Sequence, residues 1–93
     1  MVEKIVEKVI DEIIPYKYSL EISKLELGGD TYNFIYVTFY VIMLDIHLHE
    51  FRFQIDVEDL KSIKDIRTKI KEIYKTLKVE INEVQKKLIE KQQ

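Results

Sequence analysis

Asp45, His47 and His49 stand at every second position. On an extended strand such residues project to one side, and a carboxylate beside two imidazoles is a ligand set for a divalent metal. The set contains both histidines of the chain. A closed metal site needs a fourth ligand, and a catalytic one needs an open position with a supporting shell. Glu50 falls on the opposite side of a regular strand. The plainer reading of Asp45–Glu50 is a polar, exposed hairpin connection. There is no cysteine, so thiolate ligands, disulfides and cysteine nucleophiles are excluded. Ser19, Ser23 and Ser62 have no nucleophile motif around them.

A second group is basic. Lys61, Lys64, Arg67, Lys71, Lys75, Lys78 and Lys86 share one flank of a helix at about 100° per residue, while Asp65, Glu72, Glu83 and Glu90 fall on the next flank. Such a line, about 35–40 Å long at the helical rise, has the reach to follow a phosphate backbone. The formal net charge of −2 gives no bulk attraction to nucleic acid. The plainer reading is a solvated face, with lysines paired to acids of the first helix or of a second subunit.

The elements that must position these groups are legible from periodicity. Val2, Ile5, Val6, Val9, Ile10, Ile13 and Ile14 form one apolar stripe, which predicts a helix over 2–14 that Pro15 stops. Its polar face mixes acid and base, unlike that of a membrane-surface helix. Residues 16–27 alternate as a strand. Tyr16, Tyr18, Leu20 and Ile22 hold one parity, but Leu25 and Leu27 hold the other. This slip predicts a β-bulge near Ser23-Lys24, which would keep one apolar face inward. Gly28-Gly29-Asp30 predicts a hairpin turn with positive φ, and it lacks the Lys-Ser/Thr of a phosphate loop.

Residues 31–44 (TYNFIYVTFYVIML) carry apolar side chains at both parities, with neither Gly nor Pro. β-branched and aromatic residues dominate, so the stretch reads as a central strand with both faces in need of cover. Phe51, Phe53, Ile55 and Val57 alternate with polar residues and predict a third strand over 50–57. A last helix follows over 58–90, capped by Asp56, Glu58 or Asp59. Its apolar stripe runs from Leu60 to Leu88 at spacings of three and four. At about 1.5 Å per residue this helix is roughly 50 Å long, against strands of about 35–40 Å. Ile81, Val84 and Leu88 are therefore expected to overhang the sheet and to need a partner, or else the tail folds back near Thr76-Lys78.

The order helix, three strands, helix is similar to that of double-stranded-RNA-binding domains. The likeness is one of topology, because the Gly-Pro-x-His turn and the Lys-Lys-x-Ala-Lys run are missing. The same opening order resembles the restriction-endonuclease core, for which Asp45 and Glu50-Phe51-Arg52 are the nearest match. Arg52 stands where that pattern has lysine, the spacing is short, and a fourth strand is missing.

The chain thus reads as one α+β domain over 1–93. It is an α-β-β-β-α arrangement with a three-stranded antiparallel meander and two helices on one face. Apolar content of 46% and charged content of 34% fit a folded domain. The expected function is a non-enzymatic, homodimeric interaction or structural protein. Its contact surfaces are Tyr32, Phe34, Tyr36 and Tyr40 on the open sheet face, with Ile81, Val84 and Leu88 at the helix end. The parity that faces the helices is not fixed by sequence. Nucleic-acid binding through the basic flank and metal-dependent nuclease chemistry are the rival readings. No cofactor and no membrane are called for. The charged N-terminal stretch is not a signal peptide, which places the chain in the cytoplasm. Alanine is absent, and Lys far outnumbers Arg. This bias fits a thermophilic archaeal virus or its host, in which case the compartment is the host cytoplasm; an A+T-rich bacterium or phage fits as well.

Overall fold

The structure is a computed structural model that describes residues 2–91. The chain runs α1 (Val2–Ile13), β1 (Lys17–Leu27), β2 (Asp30–Met43), β3 (His47–Asp56), a 3-10 turn (Val57–Asp59) and α2 (Ile63–Lys91). The strands form one antiparallel sheet in the order β1-β2-β3, so the architecture is the expected α-β-β-β-α meander.

Strand β2 decides how the layers stack. Its odd positions Ile35, Val37, Phe39, Val41 and Met43 are buried with Val6, Val9, Ile10 and Ile14 around α1 and Ile66, Ile70, Ile73, Leu77 and Ile81 on α2. Phe51 and Ile55 of β3 join them, and Tyr18, Leu20 and Phe53 pack around the margin. Both helices therefore lie on one face of the sheet. The Cα atoms span only 17 Å in the thinnest direction, the depth of two layers. Arg67 donates to the Glu12 carboxylate at 2.8 Å and ties α2 to the end of α1.

The first hairpin closes at Gly28 and Gly29, with φ of +57° and +85°, as the sequence predicts. No bulge interrupts it. Lys17 to Leu27 pair without a break against Tyr40 to Asp30. Leu25 and Leu27 keep strict alternation and so reach the face away from the helices, opposite Tyr32 and Asp30. The phase slip has a different cause from a bulge. Beyond Ser23 strand β1 is exposed on both faces, so apolar residues there no longer track the core.

The second reversal is narrower than Asp45–Glu50. The Ile46 amide donates to the Met43 carbonyl at 3.3 Å across Leu44 and Asp45, and both hold left-handed backbones, with φ of +51° and +65°.

Helix α2 begins at Ile63, five residues later than expected. Asp56 caps the 3-10 turn instead, accepting the Glu58 amide at 3.0 Å. The α2 cap is Ser62, whose hydroxyl accepts the Asp65 amide at 3.1 Å, while the Asp65 carboxylate accepts the Lys61 amide at 3.2 Å. α2 is continuous for 29 residues, with no break near Thr76–Lys78. At about 1.5 Å per residue it is roughly 43 Å long, close to the roughly 46 Å of 14-residue β2 at about 3.3 Å per residue. The expected overhang is thus corrected. Ile81 is only 7% exposed within its own chain, and Val84 and Leu88 pack half-buried against the same core. Among the described residues no helix is long and apolar enough to cross a membrane.

Candidate functional site

Alternation along β2 sends its even positions away from the helices. Tyr32, Phe34, Tyr36, Thr38, Tyr40 and Ile42 therefore form a ridge down the uncovered face. The registers place Ser23, Glu21, Ser19 and Lys17 of β1 beside Phe34, Tyr36, Thr38 and Tyr40. On the other side stand Asp56, Gln54, Arg52, Glu50 and Leu48 of β3, beside Phe34, Tyr36, Thr38, Tyr40 and Ile42.

The polar residues of this face are held in place by one another. The Arg52 guanidinium lies 4.3 Å from the Tyr36 ring centre and reaches across β2 to the Glu21 carboxylate at 3.4 Å. Arg52 and Glu21 are both largely solvated, so the pair orders side chains more than it stabilises the fold. Ser19 and Tyr40 share a hydrogen bond of 3.0 Å between hydroxyls, and Phe34 and Tyr36 stand 6.5 Å apart in a tilted pair. The aromatic side chains are half-buried by these neighbours, with the Arg52 guanidinium over the Tyr36 ring. At the far end Ile42 is 66% and Leu48 63% exposed, side by side in the register. Leu44 and Ile46, in the adjoining turn, extend this apolar tip. Sequence reasoning misses these tip residues. The signal was present: Ile42, Leu44, Ile46 and Leu48 are all apolar, and all share one parity.

The metal candidates separate. Asp45 is a left-handed turn residue. His47 and His49 pair with Met43 and Val41, so they lie on the helix-side parity of β3, where His49 packs 4.9 Å from the Phe51 ring. Glu50 and Arg52 belong to the opposite face. Among the described residues no three His, Cys, Asp or Glu side chains are grouped to hold a metal ion.

The basic flank is largely in place. Lys64, Arg67, Lys71, Lys75 and Lys78 are exposed on α2. Lys61 is not part of it, because the segment between Asp59 and Ile63 is not helical. Arg67 is engaged by Glu12, and Lys78 sits 4.4 Å over the Tyr74 ring.

One titratable group stands out elsewhere. Tyr18 donates to the Asp11 carboxylate at 2.7 Å and to the Glu7 carbonyl at 3.2 Å. Burial first, then the Asp11 hydrogen bond and the negative charges of Asp11 and Glu7, hold its phenol well above the ordinary range. This pairing fastens β1 to α1 and lies on the helix side, apart from the aromatic ridge.

Comparison with known protein families, with curated proteins and with solved structures gives no match for this chain.

Proposed function

We propose that this chain is a non-enzymatic interaction module that works as a homodimer, joined through its uncovered sheet face. One observation carries the reading: a two-layer fold leaves Tyr32, Phe34, Tyr36 and Tyr40 in line on an open face that ends in exposed Ile42 and Leu48. Contiguous apolar surface of this kind marks a contact surface. Three strands at about 4.8 Å spacing and about 40 Å of length give a flat area near 600 Å². With side-chain relief this is of the order of the ~800 Å² per partner of a standard interface. The charge of the face suits a protein better than a phosphate chain. Lys17 and Arg52 are outnumbered by Glu21, Asp30, Glu50 and Asp56, and Arg52 is already engaged. Light scattering over a dilution series at low and high salt tests the reading. A mass of two chains that resists salt supports it, and a single-chain mass at every concentration refutes it.

A second reading is nucleic-acid binding by α2, favoured by the exposure of Lys64, Lys71 and Lys75, which form no ion pair among the described residues. It requires binding that weakens steeply with salt and that falls when these three become Glu. Salt-independent binding, or none, removes it.

A further inference from the structure

Resting on the dimer reading above, we infer that the second copy packs with its β2 parallel to this one, about a two-fold axis that runs along the strand between the two sheets. Two packed faces can be related by an axis along the strands or by one across them. An axis along β2 places each residue of the ridge over its own copy and lays β1 over β3 of the partner. An axis across the strands lays β1 on β1 and β3 on β3, running in opposite directions.

Covering the whole ridge from Tyr32 to Ile42 separates the two. With the axis along β2, cover is complete by symmetry. Lys17 and Glu50 both flank Tyr40, one on each outer strand. Lys17 therefore faces Glu50 of the partner subunit, and the contact occurs twice. The Glu21 carboxylate also gains a second guanidinium two residues along the strand, that of Arg52 of the partner subunit. With the axis across the strands, complete cover fixes the crossing point midway along the ridge, at Val37. Residues equally far from it then meet. Glu50 flanks Tyr40 and Asp56 flanks Phe34, so Glu50 meets Asp56 of the partner subunit, again twice. Like charges opposed across a sheet face are unfavourable. Moving the crossing point one residue toward Ile42, to Thr38, turns Glu50 onto Gln54 of the partner subunit and Lys17 onto Glu21 of the partner subunit, but it sets Arg52 over its own copy and carries Tyr32 past the end of the ridge; moving it further carries Phe34 past the end as well. The axis along the strand covers the whole apolar ridge and pairs Lys17 with Glu50; its one directly opposed like-charge contact, Asp30 over its own copy, lies at the exposed hairpin end of β2.

The test uses single-cysteine variants, which the absence of native cysteine makes clean. Thr31→Cys and His47→Cys lie at opposite ends of the sheet, both exposed and both on the helix-side parity, away from the contact. Each carries a nitroxide, and pulsed electron resonance reads the distance between copies. Aligned sheets pack about 10 Å apart, so with the label arms both variants should give about 20–30 Å. With the axis across the strands each label lies about six residues from the crossing point, and both distances exceed roughly 40 Å at about 3.3 Å per residue. Long distances at either site overturn this orientation and leave the dimer standing. A single-chain mass with no dipolar signal overturns the dimer and the orientation together. Mixing gives a second readout. Lys17→Glu and Glu50→Lys chains should each self-associate about tenfold more weakly, and together they should form a heterodimer of near-native affinity. Failure of the mixed pair to recover affinity counts against the Lys17–Glu50 contact.

Discussion

Ile42→Ser isolates the contact face from the fold. Ile42 is 66% exposed, so about 100 Å² of its apolar surface is solvated in the isolated chain. Removing it should change the stability of a single chain by no more than about 0.5 kcal/mol, as at other exposed positions. In the dimer both copies lose that surface. If association covers half of it, the loss is about 50 Å² per copy. At ~25 cal/mol/Å² this comes to about 2.5 kcal/mol for the pair, or a Kd raised by roughly 70-fold. Val79→Ser is the control. Val79 is 53% exposed, but it lies on α2, away from the sheet's open face. Sedimentation equilibrium gives Kd for both variants, and urea unfolding at low concentration gives the stability of the chain. Equal Kd values for Ile42→Ser, Val79→Ser and the parent would refute the argument, because the apolar tip would then lie outside the contact.

Four further outcomes follow from backbone and core geometry. Gly29→Ala should cost about 1 kcal/mol in urea unfolding, because φ is +85° although no atom lies within 4 Å of the added Cβ. Asp45→Gly should gain about 0.5 kcal/mol by the same measurement, since it relieves a left-handed non-glycine residue in the turn. Ile81→Ala should cost the chain about 2–4 kcal/mol even at concentrations where it is monomeric, as expected of a core side chain and not of an interface one. Tyr18 has a phenol pKa raised on folding, so its contribution is complete below the ordinary tyrosine range near pH 10 and is lost as pH rises through the folded value. Stability measured against pH should therefore decline above about pH 10, and Tyr18→Phe should flatten that decline at a cost of about 1 kcal/mol at neutral pH.

The element order was readable because each element has its own periodicity, and Pro15 and Gly28-Gly29 mark two of the boundaries. Other features were hidden for physical reasons. Leu25 and Leu27 change parity, and sequence alone treats a bulge and a strand leaving the shelter of its helices identically. The turn at Leu44-Asp45 carries no glycine, because Asp tolerates the left-handed region and the surrounding ladder holds Leu44 there. The sequence suggests too early a start for α2 because Asp56 is a true cap, but of a 3-10 turn, while Ser62 begins the helix. That displacement produced the false overhang, and with it the assignment of Ile81 to a partner surface. The ridge residues could be named from sequence. Which parity they would face away from was decided only by the burial of Ile35, Val37 and Phe39.

The two hairpins leave β2 no slack. Its ends are fixed by a two-residue turn and a three-residue turn, and its two faces do different work. An extra residue anywhere between Phe34 and Val41 would exchange the faces beyond it, sending phenol hydroxyls into the core and Phe39 or Val41 into water. The strand is therefore intolerant of length change, whereas the exposed hairpin between Ser23 and Thr31 has little packed against it to disturb. A fluorescent tag or epitope belongs at Gly28-Gly29, where it would report on the chain without altering the frame of the strand beside it.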